Sequence, residues 1–515
     1  MIGGTQVQVT SLQNRLATRD LVIYEMHADD FTKEFRGNHA PLDAIVQKLD
    51  GLQALGINAI EIMPWTAWVN VDFDWGYVPF QYFAVEYLYA NDASDPQEKI
   101  SKLKALISEC HKRDIHVILD GVFNHSDGEF PYRQLYRDIT DSPYTAENFG
   151  EAFSGLQDLD FANDCTQDFI RDVCLYWISE FKIDGIKFDA AKYYNVPDNH
   201  EHGIRKLLTS IDEYLERNDI RNFTMSVEWL DIPAAEFART SPATSYWDND
   251  LYQECFKHLG SSTNQLSVEY FRSLNNAQYI VTKDENGNAN FPNKVPTKYL
   301  SNHDHSTVAW QAGSYDQSGS VRWFRTQPHV IALLTSPGCP LIYHGSERAE
   351  NYFIPEADDG TRVRPRPLHW DPANDESDGS LLKLYTTLIG IRKKYAALRS
   401  GNFYPAQWDP SWTEFNRQGF GIDQKLGLIV FHRYGPVLDP ETKEVVASKL
   451  DLFYIVLNFS DVNQFITLQV ERNGNWTDFD LLNSADTVHN TQDFTLRDFM
   501  AEKFWGHVLH MQVDV

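Results

Sequence analysis

Short apolar runs recur through the first 345 residues, each followed by a segment of helical spacing, which is the rhythm of a parallel α/β architecture. The runs cover residues 21–26, 59–63, 116–119, 185–188, 223–227, 299–301 and 340–343, and a weaker candidate near Tyr246 brings the count to eight. Between the first two, Leu42, Ile45, Val46 and Leu49 fall at i, i+3, i+4 and i+7 and Gly56 follows, which predicts an amphipathic helix stopped by a glycine. Eight such units predict a (β/α)8 barrel, and the wide spacing of the runs predicts enlarged connecting loops. The longest insertion of interest, 126–160, follows the third strand.

Leu381, Leu384, Tyr385, Leu388 and Ile391 again fall at helical spacing and would close the barrel. After them the pattern shortens to runs at 427–431, 452–457, 465–470 and 505–511, rich in β-branched and aromatic residues, with Asn473-Gly474-Asn475 as a turn. This predicts a barrel over 1–399 and an antiparallel β-sandwich domain over 400–515. The sandwich reads either as a buttress for the barrel or as an accessory binding surface using Trp476 or Trp505. No strand run precedes residue 21, so no N-terminal module is expected.

The formal net charge of −28 opposes binding to nucleic acid or to anionic membranes, and a neutral substrate is compatible with it. No run of eighteen apolar residues and no leader-like N-terminus occurs, so a cytoplasmic protein is the default expectation. Five cysteines without metal-ligand spacing read as buried free thiols.

In a barrel of this kind the chemistry lies just past the C-terminal ends of the strands. Those ends are polar: Asp120 to His125 after the third run, Lys187-Phe188-Asp189 at the fourth, Glu228-Trp229 at the fifth and Asn302-His303-Asp304 at the seventh. One carboxylate in such a place is more often a helix cap or a surface charge. Asp189, Glu228 and Asp304 around one mouth would instead form a shared site in which like charges raise one pKa. Glycoside hydrolysis with retention requires such a carboxylate pair.

Read in order, these motifs resemble the α-amylase superfamily, glycoside hydrolase family 13. The matching pieces are D-G-V-F-N-H at 120–125, L-Q-D-L-D-F at 156–161, D-G-I-K-F-D at 184–189, Glu228 after a β run and S-N-H-D at 301–304. G-I-N-A-I-E-I-M-P at 56–64 and P-L-I-Y-H-G-S-E at 340–347 resemble the second and eighth strands. The resemblance implies that Asp189 is the nucleophile, Glu228 the acid/base and Asp304 the supporting carboxylate. It implies sugar contacts for His125 and His303, a stacking platform at Tyr77 in D-W-G-Y beginning at Asp74, and further substrate contacts at Lys187, Lys192 and Trp229. Asn124 resembles a calcium ligand of many amylases, although an asparagine in a strand-to-loop turn has a structural reason to be there. No cofactor is required by the chemistry.

Three departures stand out. Lys187 occupies a place where the family has arginine, so the planar fork is replaced by a point charge. Tyr193 stands where histidine is frequent and Val78 where aspartate is common. The loop over 347–370, with Arg362, Arg364, Arg366 and Trp370, reads either as part of the acceptor side or as surface ion pairing. The expected activity is retaining hydrolysis of α-1,4-linked glucans or malto-oligosaccharides. A glucan transglycosylase of the branching or trehalose-forming type and a non-catalytic glucan-binding protein are the alternatives.

Overall fold

The computed structural model describes residues 7–514 apart from 71, 93, 139–140, 147–155, 197–198, 231–233, 262–264, 277–293, 315–321, 357–359, 373–374 and 483–484. Eight parallel strands form a closed barrel: β1 (Ile23–Met26), β2 (Ala59–Ile62), β3 (His116–Gly121), β4 (Gly185–Phe188), β5 (Thr224–Val227), β6 (Ser245–Asp248), β7 (Val295–Lys298) and β8 (Cys339–Tyr343). Their order around the barrel follows the chain. By compactness the chain divides into two units, Met1–Trp247 with Ala357–Trp370, and Asp248–Glu356 with Asp371–Val515.

In the first unit the strands align Ile23 with Ala59, Ile118 with Gly185 and Gly185 with Thr224. Every residue of β1–β5 is buried, which explains why these runs read as continuous apolar segments. The helices between them bury one stripe each. Gly203–Arg217, for example, buries Ile204, Leu207, Leu208, Ile211 and Leu215. The predicted first helix is broken into Pro41–Val46 and Leu49–Leu55, and Gly56, at φ 101°, takes the left-handed turn that ends the second. After β2 the chain adds the hairpin Thr66–Trp68 with Pro79–Val85, and the insertion after β3 holds a small three-stranded sheet. Parts of that insertion, 139–140 and 147–155, lie outside the described residues.

The loop ending at Trp370 is anchored to the barrel wall rather than free. Arg366 N–H donates to Asp30 Oδ1 at 2.9 Å, and the Trp370 indole packs edge-on against Phe31 and Phe35 beneath the Lys48 ammonium. Arg362 and Arg366 both face the Trp75 ring.

In the second unit the seventh strand is Val295–Lys298, not the 299–301 run. Its Pro296 and Lys298 hid it from hydrophobic pattern, but Lys298 is fully buried and its ammonium donates to the carbonyls of Ser273 and Leu274 at 2.8 and 2.9 Å. The helix after β8 is Ser380–Lys394. Beyond it a seven-stranded antiparallel sheet, centred on Leu428–Leu438, Val445–Asn458 and Trp505–Asp514, is covered by the pair Gln464–Gln469 and Thr495–Ala501. Trp476 lies wholly inside the core between them, stacked on Tyr454 at 4.6 Å, which removes it as a sugar-binding surface. Gly474 and Asn475 begin a strand, Gly474–Asp478, rather than forming a turn. Four of the five cysteines are buried free thiols, as expected, and Cys165 is exposed. No described helix is long and apolar enough to cross a membrane.

Asp184, at the start of the motif ending in Asp189, lies just before β4, at the opposite end of the strand. It is fully buried, ion-paired to Arg15 at 2.8 Å and His111 at 2.8 Å, and accepts the Val117 N–H at 3.0 Å. Burial alone would raise its pKa, but these partners hold it below the usual value. A depressed carboxylate stabilises the fold above its unfolded pKa and loses that contribution as pH falls through the folded one. Asp184→Asn is expected to destabilise the protein by about 3–5 kcal/mol at pH 7, read from chemical denaturation, with the difference from wild type shrinking in acid.

In the sandwich, His507 lies between Asp478 at 2.8 Å and Glu502 at 2.5 Å. Burial opposes its protonation, but the two carboxylates push it up to about 9. Its contribution is therefore complete below its unfolded pKa of about 6.5 and lost as pH rises through the folded value. Thermal melts should show a fall in stability between those values that His507→Gln largely removes.

Candidate active site

The barrel ladder itself places the two central carboxyl groups. Asp189 N–H donates to Gly121 O and Glu228 N–H to Phe188 O, each at 3.0 Å, so each residue directly extends its strand at the mouth. Ala191 N–H returns to Glu228 O at 2.9 Å and ties the two strand ends together.

Lys187 is the hub. Its side chain is fully buried on β4, and its ammonium lies 3.0 Å from Asp120 Oδ1, 3.2 Å from Asp189 Oδ1 and 2.7 Å from Glu228 Oε2. It also faces the rings of Trp247 at 4.6 Å and Tyr77 at 5.4 Å. Burial would lower the lysine pKa, but Asp120, Glu228, Asp189 and Glu61 push it well above its ordinary value, so it remains a cation. Burial also raises the Asp189 pKa well above the usual carboxylate range. Glu228 and Asp120 add to that rise, while Lys187 opposes it. The Asp189 and Glu228 carboxylates lie against the same ammonium.

Tyr77 is held from both ends. Its hydroxyl donates to Asp120 Oδ2 at 2.6 Å, and its carbonyl accepts from His125 Nε2 at 2.6 Å. A carbonyl only accepts, so His125 carries its proton on Nε2, and burial keeps its pKa below the ordinary value. The Asp74 carboxylate accepts from Gly76 N–H at 2.8 Å and from the Asn70 amide at 3.3 Å, which shapes the turn that presents Tyr77. Lys192 is half-buried, with its ammonium over the Tyr193 ring at 4.8 Å. Trp229, next to Glu228, packs on Phe237 at 4.7 Å.

His303 and Asp304 belong to the second unit, in the loop after β7. His303 is buried, Asp304 is about one-third exposed (34%), and Asp304 N–H donates to Asn302 Oδ1 at 3.0 Å. Sequence reasoning passed over Glu25, Glu61 and Trp247. Glu25 and Glu61 are register partners on β1 and β2, both buried, and a charged residue inside an otherwise apolar strand run was the available signal.

Asn124 is buried and its side-chain amide has no hydrogen-bond partner. Calcium takes about six to eight oxygen ligands. Among the described residues no group of three or more histidine, cysteine, aspartate or glutamate side chains is arranged to hold a metal.

The sequence pattern of the family described as "Alpha amylase, catalytic domain" matches residues 25–149 and 145–362. The chain belongs to the α-amylase family. Among its relatives, malto-oligosyltrehalose trehalohydrolase of Saccharolobus solfataricus is 25% identical over 76% of this chain and 73% of its own length. The pullulanase of Bacillus subtilis is 29% identical over 74% of this chain, which spans 57% of that enzyme. The chain spans only 16% of Pullulanase A from Streptococcus pneumoniae serotype 4. The crystal structure of an Anoxybacillus α-amylase superposes with a TM-score of 0.70 at 21% identity, covering 96% of this chain and 98% of that one. Pullulanase type I from Bacillus subtilis, complexed with maltose, gives 0.71 at 19%, covering 98% and 72%. Those likenesses establish an α-amylase fold.

Lys187→Met would remove the buried ammonium from this carboxylate cluster. The Asp189 carboxyl, followed by carbon NMR, is expected to titrate at still higher pH than in the wild type, and an unchanged or lower value would contradict the arrangement.

Proposed function

We propose that this α-amylase family member is a retaining α-glycosidase acting on α-1,4-linked glucans or malto-oligosaccharides. The observation that carries the reading is the single ammonium shared by Asp189 and Glu228. Two oxygens held at 3.2 and 2.7 Å from one nitrogen are at most about 6 Å apart. Retaining pairs stand about 5–5.5 Å apart, whereas inverting pairs need about 6.5–9.5 Å to admit a water.

In this mechanism Asp189 attacks the anomeric carbon as the glycosidic C–O bond breaks, and the leaving oxygen takes the Glu228 proton. Water then attacks the glycosyl ester, Glu228 recovers a proton from it, and Asp189 departs as a carboxylate. Lys187 favours ionised Asp189 against the burial that opposes it. Tyr77 supplies an aromatic face for a pyranose ring, His125 and His303 contact hydroxyls, Lys192 contacts the leaving-group side, Trp229 contacts substrate, and Asp304 supports the transition state from the loop after β7. The family membership supports these assignments, and the ladder positions of Asp189 and Glu228 at adjacent strand ends agree with them.

Three outcomes test the proposal. Proton NMR of a maltoheptaose digest should show new reducing ends first as α-anomers. Initial β-anomers would sink the mechanism, and longer chains or new linkages would point to transglycosylation. Asp189→Asn and Glu228→Gln should each lower kcat/KM by at least about 100-fold. Because Asp189 must be ionised and its pKa is raised, wild-type kcat/KM should fall as pH drops through a value above the ordinary aspartate pKa of about 3.9.

A further inference from the structure

The turn that leads into Tyr77 is held by a histidine that no step of the proposed mechanism uses. His27 directly follows β1 at the mouth of the barrel and is 1% exposed. Its Nε2 lies 3.0 Å from the carbonyl oxygen of Asp74, and its Nδ1 lies 3.3 Å from the backbone nitrogen of Asp30. A carbonyl only accepts and a backbone N–H only donates, so the ring carries its proton on Nε2 and presents a lone pair at Nδ1. One side of the imidazole thus caps the short helix Ala28–Thr32, and the other side grips a loop 47 residues further along the chain.

Both partners of the imidazole are themselves fixed. Asp30 is buried; its Oδ1 accepts the Arg366 N–H at 2.9 Å and its carbonyl accepts the Leu368 N–H at 3.0 Å. Its second carboxylate oxygen stands 3.6 Å from His27 Nδ1, and Phe73 meets the imidazole edge-on at 4.9 Å. The ring therefore has little room to turn. On the other side, Gly76 takes φ 90°, and a Cβ there would stand 2.8 Å from Pro64 O and 2.9 Å from the Trp68 ring. The turn is pressed so closely against its wall that only glycine fits.

The consequence falls on Tyr77. Asp120 holds its hydroxyl and His125 its carbonyl, while His27 holds the backbone that enters it, at Asp74. A ring pinned at its hydroxyl still swings about that oxygen when the backbone behind it shifts. Stacking depends on the direction of the ring face, so the swing matters for any sugar that lies on it. We infer that His27 is a positioning residue: through the Asp74 carbonyl it sets the tilt of the Tyr77 ring and so the affinity for the sugar stacked there. Asp30 acts with it, because its N–H occupies Nδ1 and leaves the proton on the nitrogen that faces Asp74. The stacking role of Tyr77 rests on the function proposed above, whereas the hold of His27 on the turn rests on the geometry.

Two substitutions in the full-length protein separate this role from helix capping. Asparagine supplies an acceptor where Nδ1 stands and keeps the cap, but is too short to reach Asp74; glutamine places an amide N–H where Nε2 stands. His27→Asn should raise KM for maltoheptaose about threefold to tenfold, the range for one lost hydrogen bond, with kcat within about twofold, because stacking is felt alike by bound substrate and transition state. His27→Gln should bring KM back near the wild-type value. A KM unchanged in His27→Asn, or raised equally in both variants, overturns the inference and leaves the proposed function standing. A second readout needs no turnover. In protein labelled with 3-fluorotyrosine, the Tyr77 fluorine signal, assigned by its loss in Tyr77→Phe, should move in His27→Asn and stay in place in His27→Gln. An unmoved signal in His27→Asn likewise overturns the inference. A signal that moves as expected in a protein whose wild-type form does not cleave maltoheptaose overturns the function and leaves the positioning role standing.

Discussion

One buried ammonium organises the mouth of this barrel. Lys187 contacts Asp120, Asp189 and Glu228, and Asp120 in turn receives the Tyr77 hydroxyl. Without that cation, closely spaced carboxylates in a dry interior would repel one another, and burial would force protons onto them. An arginine would present a planar fork to one or two carboxylates, whereas lysine's compact head reaches three partners as a point charge. The substitution that looks conservative in the sequence thus changes how the site is held together. Asp189 and Glu228, the proposed nucleophile and acid/base residue, share one counter-charge, and what favours ionised Asp189 also draws Glu228.

The same strand carries two different tasks at its two ends. Asp184, before β4, is locked between Arg15 and His111. Asp189, after β4, faces the same strand's cation with its pKa pushed the other way. Both aspartates belong to a single six-residue motif. Only the direction in which their surroundings shift them separates a residue that stabilises the barrel from one suited to reaction.

The barrel was legible in the sequence because β1–β5 are wholly buried and their apolar runs are nearly continuous. β7 was misplaced by four residues because a proline and a buried lysine interrupt its run, and hydrophobic pattern cannot tell that this lysine's ammonium is satisfied by two carbonyls. Asp189 and Glu228 were legible as strand-end carboxylates. Their dependence on Lys187 was visible only as an anomaly, and the part played by Asp120, Glu61 and Trp247 was not visible at all, because it arises from side chains that meet across the barrel rather than along the chain. Trp476 shows the converse. Its sequence left it open as part of an accessory sugar-binding surface, but the strand that begins at Gly474 turns it into the sandwich core.

The central claim is that Asp189, paired with Lys187 and Glu228, forms the covalent bond to the sugar. Incubation with an activated fluorinated α-glucosyl donor, which slows breakdown of a glycosyl-enzyme, followed by peptide mass spectrometry, tests it most directly. The account predicts one glucosyl adduct, on Asp189, that accumulates in wild type and is absent from Asp189→Asn. An adduct on Glu228, or steady turnover of the donor in Asp189→Asn, would contradict it.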